Sequence, residues 1–370
     1  MKKKILIIAA VAVFAAVIIS ALVFAVRNPN GVLSPYGSEN NADIGVRVSV
    51  TPDMSMLKEI DDTSAFFFDL GVVTTIKNVI WQNENTAIVI SEDNGYIWVF
   101  ECDLQKKTTL EKSIITLKEG EKYSDSKVIA DGRICISTTK NIIFLNDKLA
   151  QDRSVRIRCN SGDVKESCVN FDGSQFLFID DNGLSIAVVG SLRSKILVAN
   201  GIKGENSVPY KAGFIDNDTL YYHYVAADRT VECDVMNLKK TQSVKCSNVQ
   251  RISSVTANYI SALDSTLSTG LRTVKIFNGK ETLYKTNNYV VFAIAGDKDM
   301  LYTAGLTANT NKLVIEKIDL VNTTSTTVLA LNNEVSGLSN VMFVSDFGKC
   351  AVQIDKYDNG NANLLIFDKN

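Results

Sequence analysis

Asp172-Gly173-Ser174-Gln175-Phe176-Leu177-Phe178 is a polar turn followed by a short strand-forming run, and it decides the fold because the chain repeats it. Upstream the phrase reads Asn85-Thr86-Ala87-Ile88-Val89-Ile90 and Asp131-Gly132-Arg133-Ile134-Cys135-Ile136. Downstream it returns as Asn217-Asp218-Thr219-Leu220-Tyr221-Tyr222, Ala257-Asn258-Tyr259-Ile260-Ser261-Ala262, Lys298-Asp299-Met300-Leu301-Tyr302-Thr303 and Phe347-Gly348-Lys349-Cys350-Ala351-Val352. With Thr86, Arg133, Gln175, Thr219, Asn258, Asp299 and Lys349 as equivalent points, the spacings are 47, 42, 44, 39, 41 and 50 residues. A period of roughly 44 residues made of strands and turns is the signature of propeller blades. The expected fold is all-β, a seven-bladed β-propeller, with six or eight blades the alternative if one landmark is spurious or one is missed.

Each blade should hold four strands. In the first, Val72 to Ile80, Ala87 to Ser91, Tyr96 to Cys102 and Thr108 to Ile114 are separated by the turn clusters Asn83-Glu84-Asn85, Asp93-Asn94-Gly95 and Gln105-Lys106-Lys107. Asn-Gly between apolar runs is a strong hairpin signal, and it recurs at Asn182-Gly183 and Asn359-Gly360. Ile88-Val89-Ile90 and Tyr96-Ile97-Trp98-Val99-Phe100 are continuously apolar, which predicts cover on both faces; a β-sandwich would alternate nearly everywhere. Ser154-Val155-Arg156-Ile157-Arg158 does alternate, as an outermost strand should.

The ends supply a separate expectation. After the last landmark only Ala351 to Asp355 and Asn363 to Phe367 remain, so the final blade lacks its outer strand. Ala65-Phe66-Phe67-Phe68-Asp69-Leu70, just before the first blade, is an orphan strand that would complete it and close the ring.

Hydrophobic residues make up 46% of the 370-residue chain and charged ones 22%, which excludes disorder for its bulk. Met1-Lys2-Lys3-Lys4 precedes an apolar run from Ile5 to Val26 interrupted only by Ser20. As a helix at ~1.5 Å per residue that run is long enough to cross a hydrocarbon core of ~30 Å, and a secretory apolar region is usually shorter. The expectation is a cytoplasmic lysine cluster and transmembrane signal anchor over residues 1–26, a flexible or extended stalk over 27–62 and the propeller over 63–370. The stalk holds Pro29, Pro35 and Pro52, with a helical turn read at Leu57 to Asp61. The positive-inside rule places the propeller outside the membrane. Cleavage after Val23-Phe24-Ala25, giving a secreted protein, is the alternative. Setting aside Lys2, Lys3, Lys4 and Arg27 leaves 35 basic residues against 41 acidic ones, a mildly acidic exported part. That balance argues against nucleic acid as a partner.

Phe171-Asp172-Gly173-Ser174-Gln175-Phe176-Leu177-Phe178 and Val344-Ser345-Asp346-Phe347-Gly348-Lys349-Cys350-Ala351-Val352 resemble the Asp-Gly-Lys turn of the TolB-like and WD40-like bacterial propeller repeats. The resemblance spans residues 72 to 370 at the level of period and turn; the usual proline before Asp-Gly is missing, and no Gly-His or Trp-Asp dipeptide occurs. It implies a propeller fold and a protein-binding role, nothing narrower.

The chemistry-bearing residues read mostly as structure. Ser91-Glu92-Asp93-Asn94-Gly95-Tyr96-Ile97-Trp98 resembles the Asp-box of sialidase-type propellers, itself a hairpin device, and no arginine cluster accompanies it. His223 is the sole histidine, which rules out a zinc site built on two, and no Gly-x-Ser-x-Gly elbow exists for a Ser-His-Asp triad. Cys233 and Cys246 flank Leu238-Lys239-Lys240-Thr241 symmetrically and form a candidate disulfide, with Cys159 and Cys168 a weaker one. Asp355, Asp358, Asn359, Asn361 and Asn363, like Asp216, Asn217 and Asp218, crowd oxygens into one loop, but neither spacing is that of an EF-hand. No catalytic, cofactor or metal site is assigned. The expected function is a non-catalytic, membrane-anchored extracytoplasmic module that binds a protein, peptide or envelope glycan. Its binding loops are read at Lys118 to Lys122, Asn200 to Ser207 and Leu306 to Asn311. The rival is an exported hydrolase or lyase acting on an envelope polymer through carboxylates and tyrosines at the ring centre, and a structural or sensory role is a third reading.

Overall fold

The structure, a computed structural model, describes residues 47–50, 57–58, 65–72, 74–159, 161–202, 207–226, 229–239, 243–247, 249–264, 270–276, 278–286, 289–307, 312–334, 338–354 and 363–369. The predicted membrane span, most of the predicted stalk, the Asp355 to Asn361 cluster and its Asn359-Gly360 turn lie outside these residues.

Three short strands come first: β1 (Arg47–Val50), β2 (Leu57–Lys58) and β3 (Ala65–Asp69). Blade 1 is β4 (Thr75–Asn83), β5 (Thr86–Asp93), β6 (Tyr96–Asp103) and β7 (Thr108–Thr116). Blade 2 is β8 (Tyr123–Val128), β9 (Ile134–Thr138), β10 (Asn141–Leu145) and β11 (Gln151–Arg156). Blade 3 is β12 (Glu166–Val169), β13 (Gln175–Asp180), β14 (Gly183–Val188) and β15 (Ser194–Ala199). Blade 4 is β16 (Val208–Phe214), β17 (Thr219–Val225), β18 (Val231–Asn237) and β19 (Ser243–Cys246). Blade 5 is β20 (Val249–Val255), β21 (Tyr259–Asp264), β22 (Gly270–Lys275) and β23 (Glu281–Thr286), and blade 6 is β24 (Tyr289–Asp297), β25 (Met300–Thr307), β26 (Lys312–Asp319) and β27 (Thr324–Glu334). Blade 7 is β28 (Leu338–Val344), β29 (Lys349–Ile354), β30 (Asn363–Asp368) and, as its outer strand, β3. Among the described residues these are seven sheets, and β28 packs beside β4 so that the ring closes.

The repeated phrase supplies the turn into the second strand of every blade, and those strands are buried along nearly their whole length. β9 and β21 are buried at every position, and in β5, β13, β25 and β29 the apolar run is buried throughout. A strand can be covered on both sides only if sheets stack face to face, and the core accordingly divides into seven apolar layers, one at each blade junction. Outermost strands meet water. β11 is exposed except at Val155, and its Asp152, Arg153 and Arg156 discourage pairing with another edge.

Closure occurs as the ends of the sequence imply. β3 pairs antiparallel with β30 from Ala65↔Phe367 to Asp69↔Asn363, and Phe68 is only 2% exposed in the layer between blades 7 and 1. β1 and β2 were not foreseen as strands. They run parallel to the outer strands of blades 5 and 6, from Arg47↔Leu283 to Val50↔Thr286 and at Leu57↔Ala330 and Lys58↔Leu331. The helical turn expected at Leu57 to Asp61 is therefore corrected at its start: the unpaired backbone groups of the β27 edge outweigh weak local preference.

Each junction also carries a polar link. Ile76 N donates to Gln353 Oε1 at 3.0 Å between blades 1 and 7, Asn78 Nδ2 to Ser126 O at 2.6 Å between 1 and 2, and Ser167 Oγ to Thr138 O at 2.7 Å between 3 and 2. Asp172 N donates to Asn217 Oδ1 at 3.1 Å between blades 3 and 4, and Ser253 Oγ meets His223 Nε2 at 3.0 Å between 5 and 4. Gly296 N donates to Ser254 Oγ at 2.8 Å between blades 6 and 5, and Lys369 Nζ to Asp297 Oδ2 at 2.5 Å between 7 and 6.

The cysteines divide in two ways. Cys233 lies directly opposite Cys246 in the β18–β19 pairing; both thiols are free and fully buried. Cys159 and Cys168 cannot pair as the sequence suggested, because Cys159 packs in the layer between blades 2 and 3 and Cys168 in that between blades 3 and 4, on opposite faces of one sheet. Replacing Phe68 by Ala should cost about 3–5 kcal/mol in urea unfolding of the ring. An unchanged midpoint would show that β3 does not close it.

Candidate functional site

Antiparallel meanders put the loops of each blade on two faces. The loops joining second to third strands, and the connections between blades, lie on one face, called here the connection face. The turns joining first to second and third to fourth strands lie on the other, the hairpin face. The repeated phrase forms first-to-second turns, so it builds the hairpin face. All three predicted binding loops belong to the connection face, although residues 203–206 and 308–311 of the second and third lie outside the described residues.

The first loop lines a cleft of 670 Å³ on that face, opposite the β5–β6 hairpin, with Lys77 and Glu92 on its channel side. The hairpin turns through Asn94 and Gly95, both at positive φ (48° and 85°), the two-residue geometry that Asn-Gly favours. This is the Asp-box stretch, and here it is a hairpin. The loop is built around Glu121, which is 6% exposed. Its Oε2 accepts the Lys118 N–H at 3.0 Å, and its Oε1 accepts Asn141 Nδ2 at 2.7 Å and the hydroxyl of Thr138. Lys140 Nζ donates to the Glu119 carbonyl, and Lys122 N to Thr139 Oγ1 at 3.1 Å. The backbone of 118–122 is thus fixed from beneath by blade 2, leaving Lys118, Glu119 and Lys122 exposed beside Tyr96, which is 42% exposed. A preorganised polar rim of both charge signs with an open aromatic ring suits recognition of another molecule.

Around the ring centre lies a second polar group. Lys77 pairs with Glu92 at 3.2 Å, and Asp125 with Lys127 at 3.3 Å. Glu166 on β12 has its carboxyl pushed up to about 8, by burial first, with Asp125 adding to the shift and Lys211 and Lys77 opposing it. A cavity of 310 Å³ in the channel is lined by Asn78, Tyr221, Ser253 and Ser254 among others. Tyr221 reaches it by lying across Gly213, where a Cβ would fall 2.6 Å from the ring, so the position admits no side chain.

His223 and Ser253 invite a catalytic reading that their surroundings refuse. Nδ1 of His223 has no hydrogen-bond partner, so no acid orients the ring. Burial, helped by Lys211, lowers the imidazole to about 3, too weak a base to activate a hydroxyl near neutral pH. The pair occupies one of the seven junctions, each of which holds a comparable link. The Asp216 cluster is turn chemistry as expected. Asp216 Oδ1 accepts the N–H groups of Asp218 (2.7 Å) and Thr219 (2.6 Å), and Asp218 pairs with Lys239 at 2.6 Å. Among the described residues no three metal-ligating side chains converge.

No family model and no curated protein sequence matches the chain. Solved structures do. The C-terminal WD40 domain of Sif2 aligns with TM-score 0.52 and 10% identity over 82% of this chain and 98% of that one. The WD40 domain of Neurospora crassa Pan2 gives 0.57 and 9% over 84% and 98%, and a chain of the mitotic checkpoint complex 0.54 and 12% over 84% and 94%. The fold is a WD40-like propeller. At such identities the likeness concerns the fold alone.

Sequence reasoning located the 118–122 loop but not Glu121 as its anchor, nor Glu166, Lys211 and Tyr221 in the channel. Only Tyr221 belongs to the repeated phrase, and only the bend of the ring brings Glu166, Lys211 and Tyr221 near one another. Glu121→Ala should cost about 1–3 kcal/mol by removing the acceptor of Asn141 Nδ2 and of the Lys118 N–H, and should raise amide exchange specifically at 118–122. Glu166 yields a pH test. Its folded value lies above the ordinary 4.5, so its contribution to stability is complete below about 4.5 and is lost as pH rises towards about 8. Glu166→Gln should therefore gain stability over the native chain on going from pH 5 to pH 8 in paired urea titrations; parallel curves would refute the burial of this carboxyl.

Proposed function

We propose that this chain is a non-catalytic binding module, a propeller tethered to a membrane by its amino-terminal apolar run and held on the extracytoplasmic side. Its partner is a protein, peptide or envelope glycan that docks on the connection face at the cleft between the β5–β6 hairpin and the 118–122 loop. The observation that carries this reading is the Glu121-centred anchoring of that loop, which prepays the ordering of an exposed rim and leaves its charged and aromatic groups presented. Tethering is supported by the length of the Ile5 to Val26 run and by Lys2, Lys3 and Lys4 before it. The WD40 neighbours include a chain from a multiprotein assembly, the mitotic checkpoint complex, consistent with a propeller used for protein contact.

The hydrolase or lyase reading has the charged channel in its favour. It lacks an oriented base, since His223 has no acid partner and Lys77 and Asp125 are each committed to a counter-ion.

A photo-crosslinking residue at position 96, on the connection face, should trap a partner in native membranes. The same residue at position 347, on an exposed hairpin-face turn, should trap none, and reversing Lys118 and Lys122 to Glu should abolish the adduct at 96. Equal trapping from both faces, or turnover of an envelope polymer by the purified chain, would reject this reading.

A further inference from the structure

Blade 4 brings together two thiols that the rest of the fold leaves unused. Cys233, near the start of β18, and Cys246, at the end of β19, are partners in an antiparallel register that continues through Asp234↔Lys245 and Val235↔Val244. Both are 0% exposed, and both belong to the apolar layer between blades 4 and 5, so they project from the same face of the sheet. Residues directly opposite each other in an antiparallel pair have Cα atoms about 4.5–5.5 Å apart, inside the range of about 4.4–6.8 Å that a disulfide spans. Among the described strand pairings no other two of the seven cysteines stand opposite one another. Cys102 faces Ala87 and Thr109, Cys135 faces Phe144 and Lys127, Cys168 faces Leu177, Cys350 faces Phe367 and Val344, and Cys159 follows β11 outside any strand.

The position gives such a bond something to hold. β19 has four residues and is the shortest outer strand of the seven blades. In blades 5 and 6 the outer strand gains a further partner, β1 or β2, whereas β19 among the described residues pairs with β18 alone. Cys246 is its last residue, and β20 opens blade 5 at Val249, so a bond at Cys246 fixes the crossing from one blade to the next. On its other side Cys233 faces His223, whose Nε2 meets Ser253 Oγ of blade 5 at 3.0 Å. The row His223, Cys233, Cys246 thus crosses three strands of blade 4 on the face that docks with blade 5.

We propose that Cys233 and Cys246 close as a cross-strand disulfide while the β18–β19 hairpin is still open to solvent, before blade 5 covers it. The bond forms by exchange with an oxidant that itself carries a disulfide. One cysteine thiolate attacks a sulfur of the oxidant and expels the other as a thiol; the second cysteine then displaces the sulfur that remains. Two electrons and two protons pass to the oxidant, which leaves as two thiols. Once blade 5 has docked, the apolar layer seals the bond from reductant. An oxidising compartment supplies such an oxidant, and that point alone rests on the extracytoplasmic placement given above.

The full chain would be alkylated in denaturant and mapped without reduction by mass spectrometry, in two samples. One is taken from native membranes; the other is reduced, unfolded and refolded in a buffer of reduced and oxidised glutathione. A linked Cys233–Cys246 peptide pair is expected in both. Its appearance only after glutathione refolding would keep the bond and reject the extracytoplasmic placement. Free thiols at both positions in both samples, or either residue bonded to another cysteine, would overturn the proposal. The bond should resist reductant until urea opens the ring, and its reduction should lower the folding equilibrium constant about a hundredfold, the effect of releasing a closed loop of ~15 residues. Cys246→Ala, with no such bond to lose, should show one urea midpoint with and without reductant. A drop in that variant as large as in the native chain would trace the effect to another bond and overturn the proposal.

Discussion

Burial of every blade's second strand on both faces is the condition on which the rest of the structure depends. A single blade cannot meet it, because one sheet has two faces and no helix among the described residues covers either. Each blade is therefore stable only between two others, and the apolar layers at the seven junctions are the core, shared out in slices. Apolar contact alone tolerates sliding. The polar links at each junction fix the height of one blade against the next, since a hydrogen bond such as Asn78 to Ser126 is lost with a shift of a single residue.

That requirement also changes how reactive-looking residues are read. A serine beside the only histidine of a chain suggests nucleophilic chemistry when seen alone. Placed among Gln353, Ser126, Ser167 and Ser254, which make equivalent bridges at other junctions, it is a fastening that happens to use an imidazole.

Much of the fold was legible because it is periodic. Turn residues such as Asp172-Gly173 and the apolar runs behind them are local signals, and seven copies average away the ambiguity of any one. The missing outer strand of blade 7 could be found by simple deficit, with Ala65 to Leu70 the only unused strand. β1 and β2 escaped because Arg47–Val50 and Leu57–Lys58 are short and take their conformation from the edges they lie against. The hairpin position of Cys233 and Cys246 followed from symmetry about a turn. The separation of Cys159 from Cys168 did not, because sequence distance is blind to which side of a sheet a residue faces. Of the candidate site, the exposed loop was visible as polarity, while its anchor Glu121 looked like one more loop charge. Whether a carboxylate is buried depends on what the neighbouring blade brings to it.

The pairing of β3 with β30 has a bearing on how the chain comes to be folded at all. β3 must wait for β30, nearly 300 residues later, so the circle stays open, with blade 7 incomplete and a Phe-rich strand unpartnered, until β30 has been made. Contacts spanning so much of the chain are slow to form, and the waiting segment is sticky while it waits. Assembly of this protein is thus governed by a latch that cannot engage early, and loss of β3 or of β30 strikes the same joint.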